Sequence, residues 1–462
     1  MNDNIIDQHK GIGLLRTSSL ILDIDTEAVT PGNLDFTLSM AAKVDFTDNF
    51  TVRVITVPAS SYAVDWGDGD ETIQSSSSAL LHTYATAGEY QVTIYGLLAG
   101  GIHPWFDEGA SANLITGVGA TDNARFANIF TAFRECSNLA SVSSSFELGG
   151  ATVLNSTWAS CAALTSFPLI DFSQVTVLGT GRFEGTTWRS NDNLGVWENC
   201  TGLTSFPLIN TSNITKFSST WRNCNSLASF PLIDTSNGTY FGYTWYNCNS
   251  LNSFPLIDTS NGTNFGLTWY NCNSLASFPL IDTSKGTNFD TTWYNCNSLN
   301  SFPLIDTSKG TNFNQTWQSC GFTSFPALNF SAATTIGTTW AARSARNGAW
   351  NSSALTSFPA VTFPSLTSAV GAWGECTALA DFPAGVFNGC PCTNFNMAFH
   401  DCALTATSVN NILISIESNG TSNGTLELSN VLSLGTNAAP TGAGITARNA
   451  LISRGWTVNV NP

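Results

Sequence analysis

The chain has 462 residues, of which only 10% are Asp, Glu, Lys or Arg, well below the ~25% usual for soluble proteins. Its net charge is −16, its pI is near 4.4, and no Lys/Arg-rich run exists to neutralise phosphates, so nucleic-acid binding is excluded. An apolar fraction of 42% with 30 Phe rules out a disordered chain, and its polar surface must be mostly Ser, Thr, Asn and Gly.

Residues 1–19 lack a basic stretch followed by an apolar one, so they do not read as a secretory signal. No window approaches ~18 uninterrupted apolar residues, so no membrane insertion is expected. Residues 1–38 form a mixed segment in which LILDIDTEAV and LDFTLSM are strand candidates. In residues 39–98, FTVRVITV and YQVTIYG alternate apolar and polar residues with the strand period. Between them lies Val64-Asp65-Trp66-Gly67-Asp68-Gly69-Asp70, whose Asp-Gly pairs mark a tight turn. Asp65, Asp68 and Asp70 read as turn caps, with calcium as the sharper alternative. Together with His82-Thr83-Tyr84 and the Gly88-to-Val92 strand, this order of motifs resembles the PKD domain. The resemblance implies an immunoglobulin-like β-sandwich filled by Trp66, Tyr84 and Tyr90.

Residues 99–132 read as a linker and amino-terminal cap. From there to residue 402 the chain is a repeat. Trp221, Trp245, Trp269, Trp293 and Trp317 fall 24 residues apart, as do Cys224, Cys248, Cys272, Cys296 and Cys320. Anchors extend from Phe133 to Phe399, eleven in all. A short fixed period is the mark of a solenoid, in which each coil is too small to bury its apolar face alone. Ten of the twelve Cys share one register; parallel side chains on coils ~4.8 Å apart are poorly aimed for disulfides, so they read as buried free thiols. Cys390 and Cys392 lie outside the register, as a surface pair or a partner for another group.

Within a coil, S-F-P-L-I-D reads as a short strand, with Phe254, Leu256 and Ile257 as apolar cover and Pro255 where no ladder donor is needed. D-T-S-N-G-T reads as a turn, and T-W-Y-N-C as a short helical turn burying Trp269 and Cys272. The frame of Trp245, Cys248, Leu251, Phe254 and Asp258 to Asn261 resembles the BspA-like leucine-rich repeat family, with Thr-Trp where that family more often has Met-Phe. Residues 403–462 break the period. SVNNILISIES and GAGITARNALISRG read as helices, GTLELSN and WTVNVN as strands, together a cap for the open end of the core. The expected fold class is therefore mainly β with short helices: an amino-terminal immunoglobulin-like sandwich, a leucine-rich-repeat-type solenoid and a carboxy-terminal α/β cap.

No catalytic set emerges. His400, beside Asp401, reads as structural. Asp234, Asp258, Asp282 and Asp306 line one register and read as turn caps. A calcium ladder is the alternative, and a glycosidase pair is disfavoured because identical acids give no distinct acid and base. No other cofactor is implied. The N-x-S/T sites at Asn237, Asn261, Asn419 and Asn423 read as products of the N-G-T turns rather than glycosylation acceptors. Two insertions double the anchor Trp: one carries Trp188, Arg189, Asn191 and Asp192, the other Trp340, Arg343, Arg346 and Asn347. Six coil steps place them ~30 Å apart on one edge, and insertions on one solenoid face mark a binding surface. The expected function is a non-enzymatic virion surface protein (phage fibre, decoration or receptor-binding component). Its amino-terminal region would hold other virion proteins, and its array would contact host surface glycan or protein, with homo-oligomers allowed. A bacterial cell-surface adhesin and a polysaccharide-active enzyme are the alternatives.

Overall fold

The structure, a computed structural model, describes residues 35–42, 49–56, 62–74, 80–86, 88–95, 102–105, 109–122, 129, 131–179, 195–338 and 348–462. The strand candidate LILDIDTEAV and the doubled-Trp insertions lie outside them. The described residues are mostly non-helical, with short strands and two α-helices. No helix among them is long and apolar enough to cross a membrane. The chain divides into two compact units, Met1–Gln174 and Val175–Pro462.

The first unit holds β1 (Asp35–Ala42), β2 (Asn49–Thr56), β3 (Tyr62–Asp65), β4 (Glu71–Gln74), β5 (Leu80–Thr83), β6 (Gly88–Tyr95), β7 (Ile102–Trp105), β8 (Ile115–Asp122) and β9 (Ser141–Val142). They form a six-stranded sheet of order β4-β3-β6-β1-β8-β9 and a three-stranded sheet β5-β2-β7. The larger sheet thus recruits strands on both sides of the 39–98 stretch. The Asp-Gly turn joins β3 to β4 because Gly67 and Gly69 take φ of +79° and +103°, which side-chain-bearing residues resist. Trp66 and Tyr84 are buried, whereas Tyr90 is only half-buried. Two coils follow: Phe133 N–H donates to Thr157 O at 2.9 Å, and the Phe133 and Trp158 rings stack at 6.4 Å.

In the second unit each 24-residue period bonds to the next. The N–H groups of Phe265, Leu267, Trp269 and Asn271 donate to the carbonyls of Asn288, Asp290, Thr292 and Tyr294, at 2.8–2.9 Å. The intervening Thr268 and Cys272 donate back three residues, to Phe265 O and Trp269 O. This pattern cannot be an α-helix, whose N–H groups all turn back four residues, so the expected helical turn at T-W-Y-N-C is replaced by consecutive turns. Left-handed residues make the switch: φ is +57° at Leu267 and +56° at Asn271. Asn tolerates this region, and Asn occupies the second such position in five coils. Its carboxamide gains a partner there: Asn223, Asn247, Asn271 and Asn295 each donate to the Asn before, at 2.7–2.9 Å.

The expected strand at S-F-P-L-I-D is also absent. Pro255 has no N–H to give, and Ile257 N–H donates to Pro255 O at 3.0 Å, a three-residue turn that breaks extended pairing. This turn swings Leu256 outward. Leu256 is 60% exposed, as are its counterparts Leu208, Leu232, Leu280 and Leu304 to similar degree, while Phe254 and Ile257 stay buried. The parallel ladder runs instead from β10 (Val177–Gly179) through β11 (Lys216–Phe217), Tyr240, Asn264, Asn288, Asn312, Thr335 and Ser368.

The core is a set of ring columns. Trp221, Trp245, Trp269 and Trp293 stack at 5.6–5.8 Å with planes within 8°. Phe254 meets Trp245 edge-on at 4.8 Å and Trp269 at 5.2 Å, the geometry favoured by aromatic quadrupoles. Each register cysteine fills the gap beside them; Cys272 Sγ donates to Trp245 O at 3.3 Å.

The carboxy-terminal stretch continues the ladder. β12 (Asn394–Phe395), β13 (Thr425–Glu427) and β14 (Thr457–Asn459) pair in parallel, and Phe399 N–H donates to Glu427 O. Helix α1 (Ala406–Glu417) buries Val409, Ile412, Leu413 and Ile416, one face at helical spacing, under an N-cap from Thr405. It packs on α2 (Gly442–Ser453).

All twelve cysteines are free and buried, Cys390 and Cys392 included, which corrects the surface-pair reading of those two. Burial pushes up the thiols of Cys224, Cys248, Cys272, Cys296, Cys320, Cys376 and Cys402, and those of Cys390 to about 11 and Cys392 to about 12, which disfavours their thiolates at neutral pH. A thiol-specific disulfide reagent is therefore expected to titrate none of the 12 cysteines in the native protein at neutral pH and all of them in denaturant. Rapid release of even two equivalents from the native protein would contradict this packing.

Candidate functional site

The polar clusters singled out in the sequence resolve mostly into structure-holding contacts. Asp65 Oδ1 accepts from Gly67 N–H and Asp68 Oδ1 from Asp70 N–H, as turn caps do. Asp68 Oδ2 lies 2.7 Å from His82 Nε2, and His82 stacks on Trp66 at 4.7 Å. Asp68, Asp70 and His82 bring one ligating atom each within 4.8 Å of one another, so a cation here would draw on His82, which sequence reasoning did not include, and not on Asp65.

In the second unit, Asp234, Asp258, Asp282 and Asp306 each accept the N–H of the Ser two residues on, at 2.9–3.0 Å. Hydrogen bonds from Ser236 and Ser284 hold Asp234 and Asp282 below the usual carboxylate range. Asn210 and Asn329 make the same bond to Ser212 and Ser331, so the register needs an acceptor and not a charge. Uniform caps of this kind hold no distinct acid and base. His400 is buried; its Nδ1 donates to Met397 O at 2.7 Å, and Nε2 lies 3.4 Å from Glu375. Asp401 accepts N–H bonds from Leu432, Leu434 and Gly435, which ties down the carboxy-terminal loop. An open cleft of about 500 Å³ forms where the Asn ladder ends, lined by Asn295, Ser319, Gly321, Ser352 and Glu375 among others.

Trp188, Arg189, Asn191, Asp192, Trp340, Arg343, Arg346 and Asn347 lie outside the described residues. The two stems from which they spring are described. Gly179 and Gly195 bracket the first, Gly337 and Gly348 the second. A Cβ on any of the four would fall 1.9–2.0 Å from a backbone oxygen of the following coil: Ser218, Ser219, Val370 and Gly371 respectively. Only glycine allows the chain to leave and re-enter a coil without lifting it off its neighbour. Both stems therefore open at the same corner, just before the anchor Trp, and the paired glycines are the signal sequence reasoning passed over.

That corner is also where the regular coils differ most. Four consecutive units, starting at Trp221, Trp245, Trp269 and Trp293, agree except at six positions. Three flank the anchor: Arg222, Tyr246, Tyr270 and Tyr294 just after it; Gly242, Gly266, Asp290 and Asn314 three before the next; Tyr243, Leu267, Thr291 and Gln315 two before it. The last position holds a different residue in every unit. Tyr246, Tyr270 and Tyr294 stack at 4.4 and 4.8 Å. The Arg222 guanidinium lies 4.9 Å over Tyr246 and is paired with Glu198. We call this surface the tryptophan arc.

No protein-family model matches the chain, no curated protein matches its sequence, and no solved structure matches its fold.

Asp290 is the arc's only acid among those varying positions. Burial raises its pKa to about 6, against smaller lowering by hydrogen bonds from Thr291 and Asn314. Its folded value lies above its unfolded one, so its stabilising contribution is complete below the unfolded pKa and is lost as pH rises through about 6. Wild type should therefore lose up to about 3 kcal/mol relative to Asp290→Asn between pH 4 and pH 7, read from urea midpoints. Parallel pH profiles for the two proteins would contradict this.

Proposed function

We propose that this chain is a non-enzymatic virion surface protein, a phage fibre, decoration or receptor-binding component that adheres to host surface glycan or protein. In this reading the sheets around residues 39–98 are a PKD-type immunoglobulin-like sandwich. Residues 133–402 are a BspA-like leucine-rich repeat solenoid, and residues 403–462 are its α/β cap. The amino-terminal region would join other virion proteins.

One observation carries the reading: an otherwise uniform stack departs furthest from its repeat at one corner. Both insertion stems and the most divergent positions of the regular coils open there. A rigid ladder that repeats its interior and varies one edge is built to present side chains. The acid row weighs against glycoside hydrolysis, since amides stand in for its carboxylates at Asn210 and Asn329.

Mass spectrometry of purified phage particles is the direct test, paired with competition of particle adsorption by the isolated protein. The expected result is presence in the particle and dose-dependent loss of adsorption. Detection on bacterial cells but never in particles would favour a bacterial adhesin. Release of reducing ends from host polysaccharide would favour an enzyme. Either outcome overturns the proposal.

A further inference from the structure

Two left-handed positions recur along the stack, and the four regular coils treat them differently. The one two residues after the anchor is Asn223, Asn247, Asn271 and Asn295, with φ of +56° to +61°, a residue suited to that region. The one two residues before the anchor is Tyr243, Leu267, Thr291 and Gln315, with φ of +53° to +62°. Bulky and β-branched residues are outliers there. In the Trp373 coil the same position is Gly371, φ +64°, so the backbone accepts the residue that removes the strain. The fold therefore does not select Tyr, Leu, Thr or Gln at this position. Ser219 and Met397 hold the same position in other coils of the second unit, with φ of +56° and +55°, so the left-handed backbone belongs to the coil; what marks the arc is that four otherwise nearly identical coils each place a different side chain there.

Resting on the adhesion reading above, we propose that the tryptophan arc between Trp221 and Trp317 is the ligand-contacting face, and that its ligand is a neutral polysaccharide lying along the stack. The half-buried groups along it are the phenols of Tyr243, Tyr246, Tyr270 and Tyr294, the amide of Gln315, whose Nε2 donates to Gln318 Oε1 at 3.0 Å, and the carboxyl of Asp290, which accepts from Thr291 and Asn314; Thr291 itself is buried. These donate and accept hydrogen bonds, and Leu267 is the one aliphatic side chain among them. A protein epitope would instead be expected to centre on a larger apolar cluster. The arc's guanidinium, Arg222, is already held by Glu198 and the Tyr246 ring, which disfavours an anionic polymer. Tyr246, Tyr270 and Tyr294 recur once per coil, at roughly the 4.8 Å strand spacing, so a linear chain of repeated hydroxyl-bearing units can meet a phenol at each of these steps.

The experiment compares wild type with the triple variant Tyr243→Asn, Leu267→Asn, Gln315→Asn, and with the control Leu232→Ser, Leu256→Ser on the exposed leucine row. Thermal melting is measured first. The triple variant is expected to melt at or above the wild-type temperature, since Asn relieves the backbone at all three sites. A lower melting temperature would show that these side chains serve packing and would overturn the proposal without reference to any ligand. Affinity electrophoresis then runs each protein through gels containing dextran, mannan or galactan, and separately hyaluronan. Retardation by at least one neutral polymer is expected, weakened at least about tenfold in the triple variant and unchanged in the leucine control. Retardation by hyaluronan alone, by none of the polymers, or loss confined to the leucine variant would each overturn it. Adhesion to whole bacteria, measured in parallel, separates the two readings. Cell binding indifferent to the arc variant sinks the face but leaves adhesion standing, and absence of cell binding sinks the adhesion reading itself.

Discussion

The second unit depends on one constraint: alternate N–H groups around each tryptophan must point to the next coil. A right-handed helical turn would spend those donors internally. The left-handed residues on either side of the tryptophan prevent this and aim Phe265, Leu267, Trp269 and Asn271 at the carbonyls of the following period. Once the coils are in that register, the indoles stack, the Asn side chains form their own ladder, and thiols such as Cys248, Cys272 and Cys296 reach the carbonyl of the preceding coil's tryptophan. The indole N–H groups of Trp221 through Trp373 find no oxygen or nitrogen acceptor. The packing accepts that cost, and edge-on Phe rings surround the indoles in place of polar partners.

The same constraint explains why side-chain identity is tightly fixed inside the coil and loose at one corner. Columns of rings, Thr hydroxyls and thiols need equivalent neighbours above and below. The corner before the anchor is held to the next coil by backbone ladder bonds, which do not depend on side-chain identity. Insertions are tolerated there for the same reason, provided glycine lets the two stem strands lie on the next coil.

Much of this was legible in the sequence. The 24-residue spacing of Trp and Cys announced buried columns, because only stacked equivalents need identical shapes. The apolar spacing of Val409, Ile412, Leu413 and Ile416 announced α1, and Asp-Gly pairs announced the β3–β4 turn. Other features were hidden for physical reasons. S-F-P-L-I-D has strand-like composition, yet Pro255 closes a three-residue turn that turns Leu256 to solvent. T-W-Y-N-C has helix-like spacing, yet its donors are spent between coils. Whether a residue sits at positive φ is not written in its name when that residue is Tyr, Leu or Thr. The Asn before each Cys was the available clue, and the insertion glycines were another. The residues first favoured as ligand contacts, Trp188 to Asp192 and Trp340 to Asn347, lie outside the described residues, although their stems fall on the arc.

Residue-resolved hydrogen exchange tests the inter-coil ladder most directly. The ladder predicts that the amides of Trp221, Trp245, Trp269 and Trp293 exchange only with global unfolding, to a similar degree in every central coil. The amides of Leu232, Leu256 and Leu280, on the outward turn, should exchange orders of magnitude faster. Tryptophan amides that exchange as rapidly as those leucines would contradict it.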